Sequence, residues 1–478
     1  MLFNSVSFAV FLPIVFVLYW FATRGNYKVQ NVLLLVASYY FYACWDWRFL
    51  FLLIFSTFLD FYTGLKMADA KTQKTKTFWF WLSVVVNLGF LGIFKYYNFF
   101  ADSFADGLSL LGIHAGFWSL QVILPVGISF YTFHGLSYVI DVYKDKIKPE
   151  KNIVDYSVFV SFFPLLVAGP IERATHLLPQ IQCQRDFNYA KAKDGLRQIL
   201  WGLFKKVVIA DNCAEFANLI FNNHEDYSGS SLIIGAVLFA FQIYGDFSGY
   251  SDIAIGTAKL FGIDLLKNFA FPYFSRDIAE FWRRWHISLS SWFRDYLYIP
   301  LGGSKGGVGT KVRNIFIIFL VSGFWHGANW TFIAWGFVNA LFIMPSVLFN
   351  TNRNNLDIVA QGRIFPTFKE LASVIITFCL TVFCWIFFRS ENLSHAISYI
   401  SGIFSMSVFT VPNVKLGIKL WFLLPFFIVE WFGREHEYAI SKIEMTFPAP
   451  VRWGFYYAVI IAVLYFAGSG QQFIYFQF

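Results

Sequence analysis

The chain has 478 residues, 57% of them hydrophobic and only 14% charged, more apolar surface than a soluble protein of this length can bury. Its formal net charge of +8 would suggest nucleic-acid binding in a soluble domain, but the positive residues fall in short loops between apolar runs, where they set topology. No basic face or aromatic RNA-binding motif accompanies them, which excludes nucleic acid as a partner and leaves the lipid bilayer. The cysteines (Cys44, Cys183, Cys213, Cys379, Cys384) are odd in number and form no CxxC pair, so neither a disulfide framework nor a zinc site is expected.

Crossing a ~30 Å hydrocarbon core takes about 20 apolar residues. Runs of roughly that length cover 2–22, 78–98, 118–140, 196–221, 231–261, 314–346, 369–389 and 451–469. Shorter or interrupted runs at 31–44, 47–66, 154–170, 396–411 and 418–432 suit half-helices or re-entrant pieces. Together they predict an all-α polytopic membrane protein of about eleven spans, forming one domain over 1–478. Two weakly apolar stretches, 171–195 and 264–313, are amphipathic, the second reading as an interfacial or re-entrant helix and loop region. No basic residue precedes the first run, so it reads as a retained helix rather than a cleaved signal. Arg24 and Lys28, then Lys66 to Lys76, then Lys144 to Lys151 alternate with basic-poor loops at 43–47 and 101–117, which puts the N-terminus outside.

Between Asn314 and Asn352 the only titratable side chain of acid or base character is His326. On a continuous helix it would lie about 18 Å beyond Asn314, near the bilayer centre. Helical spacing would give it a face shared with Ser322, Gly323, Asn329 and Trp330, and Trp325 is its neighbour in the chain. An ionisable group at that depth faces a cavity or a polar partner. For this residue alone a structural histidine bonding across a helix pair remains an equal alternative.

In 277–303, "DIAEFWRRWHISLSSWFRDYLYIPLGG", helical spacing puts Phe281, Trp282, Trp285, Leu289, Trp292, Phe293 and Tyr296 on one face. Arg283, Arg284, Ser291, Arg294 and Asp295 fall on the other, and His286 lies at the edge, one turn before Ser290. Such a segment predicts arginines meeting phosphates while tryptophans enter the membrane, with a plain anchoring helix as the alternative. The tail "PLGGSKGGVGTK" lacks a Walker ending and reads as a flexible loop whose Lys305 and Lys311 could touch an anionic donor. Asp246, Ser248, Ser251 and Asp252 could line a polar channel or cap a broken helix. His134, Glu172 and Arg173 fit packing or supporting roles, and His114, His176, His224, His395 and His436 fall in or near loops. No HExxH motif or carboxylate cluster has metal-ligand spacing, so no metal is expected.

The pairing of "FWRRWHISLSSWFRDYLYIPLGG" with "SGFWHGANWTFIAWG" resembles the membrane-bound O-acyltransferase (MBOAT) family. "SYYFYACWDWRFL", "FKYYNFF", "PVGISFYTFHGLSYVIDVY", "AGPIER", "YGDFSGYSDIAIG" and "FIYFQF" extend the likeness along the chain, toward the bacterial branch that O-acetylates alginate and related exopolysaccharides. The resemblance implies a ring of tilted helices around a tunnel, with His326 as catalytic histidine and His286 as its upstream partner. It also implies a cytosolic acyl-thioester donor, expected to be acetyl-CoA, with no other cofactor. A polysaccharide acceptor, a separate extracytoplasmic acetyltransferase and a place in the bacterial cytoplasmic membrane complete the expectation. Trp285, Ser290, Arg283, Arg284, Asp295, Ser322, Trp325 and Asn329 are the expected substrate-binding or supporting residues. His326 could act as general base or as acyl-accepting nucleophile, and His286 could orient the acceptor, donate to the oxyanion or share the proton. A teichoic-acid D-alanylation component is the nearest alternative. A transporter or a non-catalytic scaffold would also explain the apolar bulk, though not the paired histidines.

Overall fold

The computed structural model describes every residue except 24, 115, 117, 118, 121–123, 168, 416, 468–470, 472 and 475–478. Arg24 in the first basic loop, the start of the 118–140 run, the first residue of "AGPIER" and most of "FIYFQF" therefore lie outside the described residues. The described chain is helical, without strands. It divides into two compact units: Met1–Ala192 with Ala258–Leu265, and Lys193–Thr257 with Leu266–Phe478.

The first unit holds α1 (Val6–Val17), α2 (Tyr27–Ala43), α3 (Arg48–Ala68), α4 (Gln73–Leu91), α5 (Tyr97–Ser109), α6 (Ile128–Tyr143), α7 (Ile153–Ser161) and α8 (Ala174–Ile181). Helix starts follow capping chemistry: Ser5, Asn26, Thr72 and Asn152 each accept a backbone N–H of the following turn. Polar groups knit the apolar helices. Asp60 of α3 accepts Ser83 Oγ at 2.5 Å and Asn87 Nδ2 at 2.7 Å from α4. Gly135 of α6 is small enough to lie against the same carboxylate, which a Cβ there would overlap.

The second unit takes most of α9 (Tyr189–Leu203), then α10 (Asp211–Asn222) and most of α11 (Gly229–Leu260). It continues with α12 (Ile278–Arg284), α13 (Ile287–Phe293), α14 (Gly307–His326), α15 (Trp330–Leu348), α16 (Phe368–Arg389) and α17 (Leu393–Ile403). It closes with α18 (Leu423–Gly433), α19 (Ile443–Thr446) and α20 (Ala449–Phe466). Gly202 of α9 and Gly249 of α11 bring the two backbones together, since a Cβ on either would press on the other's carbonyl oxygen. A π-helical stretch, Phe204–Ala210, then turns two lysines toward α11. Lys205 pairs with Asp252 at 2.5 Å, and Lys206 with Asp246 at 2.8 Å and Asp211 at 2.7 Å. Asp246 and Asp252 thus neither cap nor break a helix: α11 runs through both, and their charges are neutralised across the helix pair. Ile474, one of the described residues of the "FIYFQF" stretch, donates its backbone N–H to Asp246 Oδ2 at 2.7 Å.

Seven helices among the described residues are long and apolar enough to cross a membrane: Arg48–Ala68, Gln73–Ser109, Gly229–Leu260, Gly307–His326, Trp330–Leu348, Phe368–Arg389 and Ala449–Phe466. The other apolar runs behind the estimate of about eleven form shorter or interrupted helices, among them Val6–Ala22 and Leu420–Gly433. The chain is a multi-pass membrane protein.

Two expectations change in the region that matters most. The run 314–346 is not one helix but the antiparallel pair α14 and α15, broken at extended Gly327. Gly323 abuts the Phe332 carbonyl and Gly336 the Phe319 carbonyl, and a Cβ at either glycine would overlap it. His326 is therefore the last residue of a 20-residue spanning helix rather than its midpoint. The stretch 277–303 is likewise not one helix. It breaks at Trp285 and His286 into two seven-residue helices followed by a π-helical turn, Arg294–Tyr298.

Candidate active site

His326 ends α14 with its ring buried among aromatic edges. Its centroid lies 4.9 Å from Trp325, 5.1 Å from Trp335 of α15 and 5.3 Å from Phe388 of α16, all edge-to-face. Ser322 is buried one turn earlier on α14.

His286 is held differently. It occupies the N-cap of α13 with φ 44° and ψ 54°, a left-handed backbone unusual for a residue with a Cβ, and its side chain is buried. Asn268 holds this turn through its backbone and side-chain oxygens. Its backbone oxygen accepts Ile287 N–H at 2.9 Å, and its Oδ1 accepts Ser288 Oγ at 2.9 Å and His286 Nδ1 at 2.9 Å. Asn268 Nδ2 in turn donates to Ser251 Oγ of α11 at 3.1 Å. A carbonyl oxygen only accepts, so Nδ1 carries the imidazole proton and Nε2 presents its lone pair. That Nε2 is buried and meets no hydrogen-bond partner among the described residues. Burial pushes the His286 pKa down to about 3, so the ring is neutral at physiological pH. Phe247 stands edge-on to it at 4.6 Å.

The two imidazoles flank one indole: Trp325 lies 6.2 Å from the His286 ring and 4.9 Å from His326. Trp285 belongs to the wall around them, stacked on Phe281 at 5.5 Å and 5.0 Å from Trp385, which in turn stacks on Trp335 at 5.9 Å. The structure brings together His286, Trp325, His326 and, one ring further out, Trp285.

The remaining expected residues serve the scaffold. Asn329 does not share a helical face with His326. It caps α15 by accepting Thr331 N–H at 3.0 Å, and its amide donates to the Glu391 carbonyl at 2.7 Å. Arg283, expected at phosphate, donates to the carbonyls of Asn352 and Asn355, both at 2.7 Å. Arg284 pairs with Glu280 at 2.8 Å and donates to the Asp357 carbonyl at 3.0 Å. Asp295 pairs with its exposed neighbour Arg294 at 2.8 Å, and Ser290 Oγ reaches the Trp285 carbonyl at 3.4 Å. Among the described residues no three His, Cys, Asp or Glu side chains converge as a metal site would require.

Asn268 is the residue that sequence reading missed. It lies near the start of the weakly apolar 264–313 stretch, and no periodicity ties it to His286. Histidines expected near loops have partners too: His176 meets Glu172 at 2.8 Å, and His224 stacks on His395 at 4.5 Å.

Comparison of the sequence with known proteins identifies the family. The model of the membrane-bound O-acyltransferase family matches residues 144–389, which include both histidines. The chain belongs to that family and is an O-acyltransferase. It is 38% identical to the probable alginate O-acetylase AlgI of Pseudomonas aeruginosa over 442 residues, covering 91% of this chain and 82% of that one. It is 35% identical to the peptidoglycan O-acetyltransferase of Helicobacter pylori over 436 residues, covering 85% and 80%. Likeness to the teichoic acid D-alanyltransferase of Bacillus subtilis is lower, 26% over 286 residues, covering 58% and 71%.

Proposed function

We propose that this protein O-acetylates an extracytoplasmic polysaccharide, drawing acetyl groups from cytosolic acetyl-CoA and working with a separate extracytoplasmic acetyltransferase. In this reading it sits in the bacterial cytoplasmic membrane with its N-terminus outside. The names of the alginate and peptidoglycan relatives support an acetyl group and a glycan acceptor over D-alanine and teichoic acid.

The observation that carries the reading is the pair of buried imidazoles that both neighbour Trp325, one with an Nε2 lone pair unbonded among the described residues. His326 accepts the acceptor hydroxyl proton as the oxygen attacks the thioester carbonyl. The new C–O bond forms, the C–S bond breaks, and the proton passes to the departing thiolate. Positive charge growing on His326 lies at the carbonyl end of α14, the negative pole of the helix dipole. With Nδ1–H committed to Asn268, His286 Nε2 accepts and does not donate. It therefore suits accepting from a second, neighbouring hydroxyl of the sugar acceptor, since the proton of the attacking hydroxyl goes to His326, rather than stabilising the oxyanion. Trp325 and Trp285 wall the imidazoles, and Ser322 lies one turn before His326. Asn329, Arg283, Arg284, Ser290 and Asp295 support the site by holding the surrounding loops and helix ends.

The test is transfer of labelled acetyl from acetyl-CoA by purified protein in vesicles, supplied with its partner and a glycan acceptor. Wild-type protein transfers label and His326→Ala does not. Movement of acceptor across the vesicle without acetyl consumption would instead identify a transporter. Full activity of the partner with soluble acetyl-CoA alone would reduce this chain to a scaffold.

A further inference from the structure

A cavity lies away from His286 and His326 within the second unit, between α18, the 434–442 connection, α19 and α20. It measures about 610 Å3, within the roughly 300–1,000 Å3 of pockets that bury small ligands. Its walls are apolar, with Ile428 and Phe432 from α18 facing Phe447 and the α20 residue Val451, and its polar lining comes from His436, Lys442 and Thr446. α20 is a spanning helix that begins at Ala449, so the groove starts at the headgroup level of the bilayer and runs along α20 into hydrocarbon.

Cationic side chains gather at that end. Lys193, Arg197 and Arg452 all converge on Glu444, at 3.0, 2.7 and 3.8 Å. Asp194 is the other carboxylate in the cluster, 3.6 Å from Arg197. Lys442 lines the groove and pairs with no carboxylate among the described residues. Arg452 keeps its side chain partly exposed beside Glu444. A lysine without a carboxylate partner, a partly exposed guanidinium and an apolar trough leading away from them match the two halves of an anionic phospholipid.

We propose that this groove binds a membrane lipid with an anionic headgroup, one acyl chain lying along Phe432, Phe447 and Val451 and the phosphate meeting Lys442 and Arg452. The site is independent of the acyl-transfer reading. It is tested on the purified full-length protein in neutral detergent, by native mass spectrometry with phosphatidylglycerol and phosphatidylcholine of identical chains. Phosphatidylglycerol is expected to bind about fivefold or more tightly than phosphatidylcholine, and Lys442→Gln to bring the two to within about twofold. Val451→Trp, which fills the trough, is expected to weaken both. Lys442 is exposed, so its variant folds and keeps the test decisive even if Val451→Trp does not. Equal binding of the two lipids by wild-type protein overturns the proposal. So does an undiminished preference in Lys442→Gln, or equal competition by free glycerol phosphate.

Discussion

His286 and His326 border the same indole but are fixed by different forces. His326 is held by packing, its ring enclosed by Trp325, Trp335 and Phe388 at the end of a spanning helix. His286 is held by hydrogen bonds, its strained backbone and its tautomer both set by one buried asparagine. Packing tolerates small changes in a neighbour's polarity and responds to changes in volume. A hydrogen-bonded tautomer responds to the loss of a single acceptor. The two halves of the site should therefore fail under different substitutions.

The largest effect is expected at His326. His326→Ala should lower acetyl transfer by about 10²–10⁴, measured as single-turnover rate in purified protein. His286→Asn keeps a residue that tolerates the left-handed backbone while removing the imidazole. It should lower kcat/KM by on the order of 10² with unchanged thermal stability. Asn268→Ala should cost roughly 10–100-fold in rate, as loss of an orienting partner does elsewhere.

Asn268→Asp separates orientation from structure by pH. A carboxylate beside Nδ1 favours the charged ring and raises the His286 pKa above its native value of about 3. Activity that needs neutral His286 then loses its acid side at higher pH than in wild type. An acid limb that does not move would break the tautomer argument. In the wild-type fold the same depressed pKa makes His286 a source of acid instability. The unfolded ring, near pKa 6.5, binds a proton that the folded one refuses, so stability falls as pH drops from about 6.5 toward 3.

On the packing side, Gly323→Val should push α14 from α15 and cost about 1–3 kcal/mol, seen as a lower Tm with activity falling alongside. The smallest effect is expected at Arg283, whose donors go to the Asn352 and Asn355 carbonyls. Arg283→Ala should change KM for acetyl-CoA by no more than about twofold, where a phosphate-binding arginine on a buried donor would cost tenfold or more.

How much of this was legible in the sequence follows from which signals are local. The membrane class, the helical fold and the two histidines could be read from composition and from motifs that lie within single stretches. The break at His286 could not, because the apolar spacing of Phe281, Trp285, Leu289 and Trp292 continues in phase across it. The turn after His326 left a weak trace in Gly327 and in Asn329 standing before a helix start, masked by unbroken hydrophobicity. Asn268, and the lysines that neutralise Asp246 and Asp252, act through contacts between separate elements. No periodicity carries that information.

The central claim is that acyl transfer runs through the imidazole at the end of α14. Single-turnover transfer from labelled acetyl-CoA by His326→Ala, at a Tm matched to wild type, tests it most directly. The account predicts a loss of at least 10², with His286→Asn also impaired. A matched-Tm His326→Ala protein that transfers acetyl at the wild-type rate would contradict it.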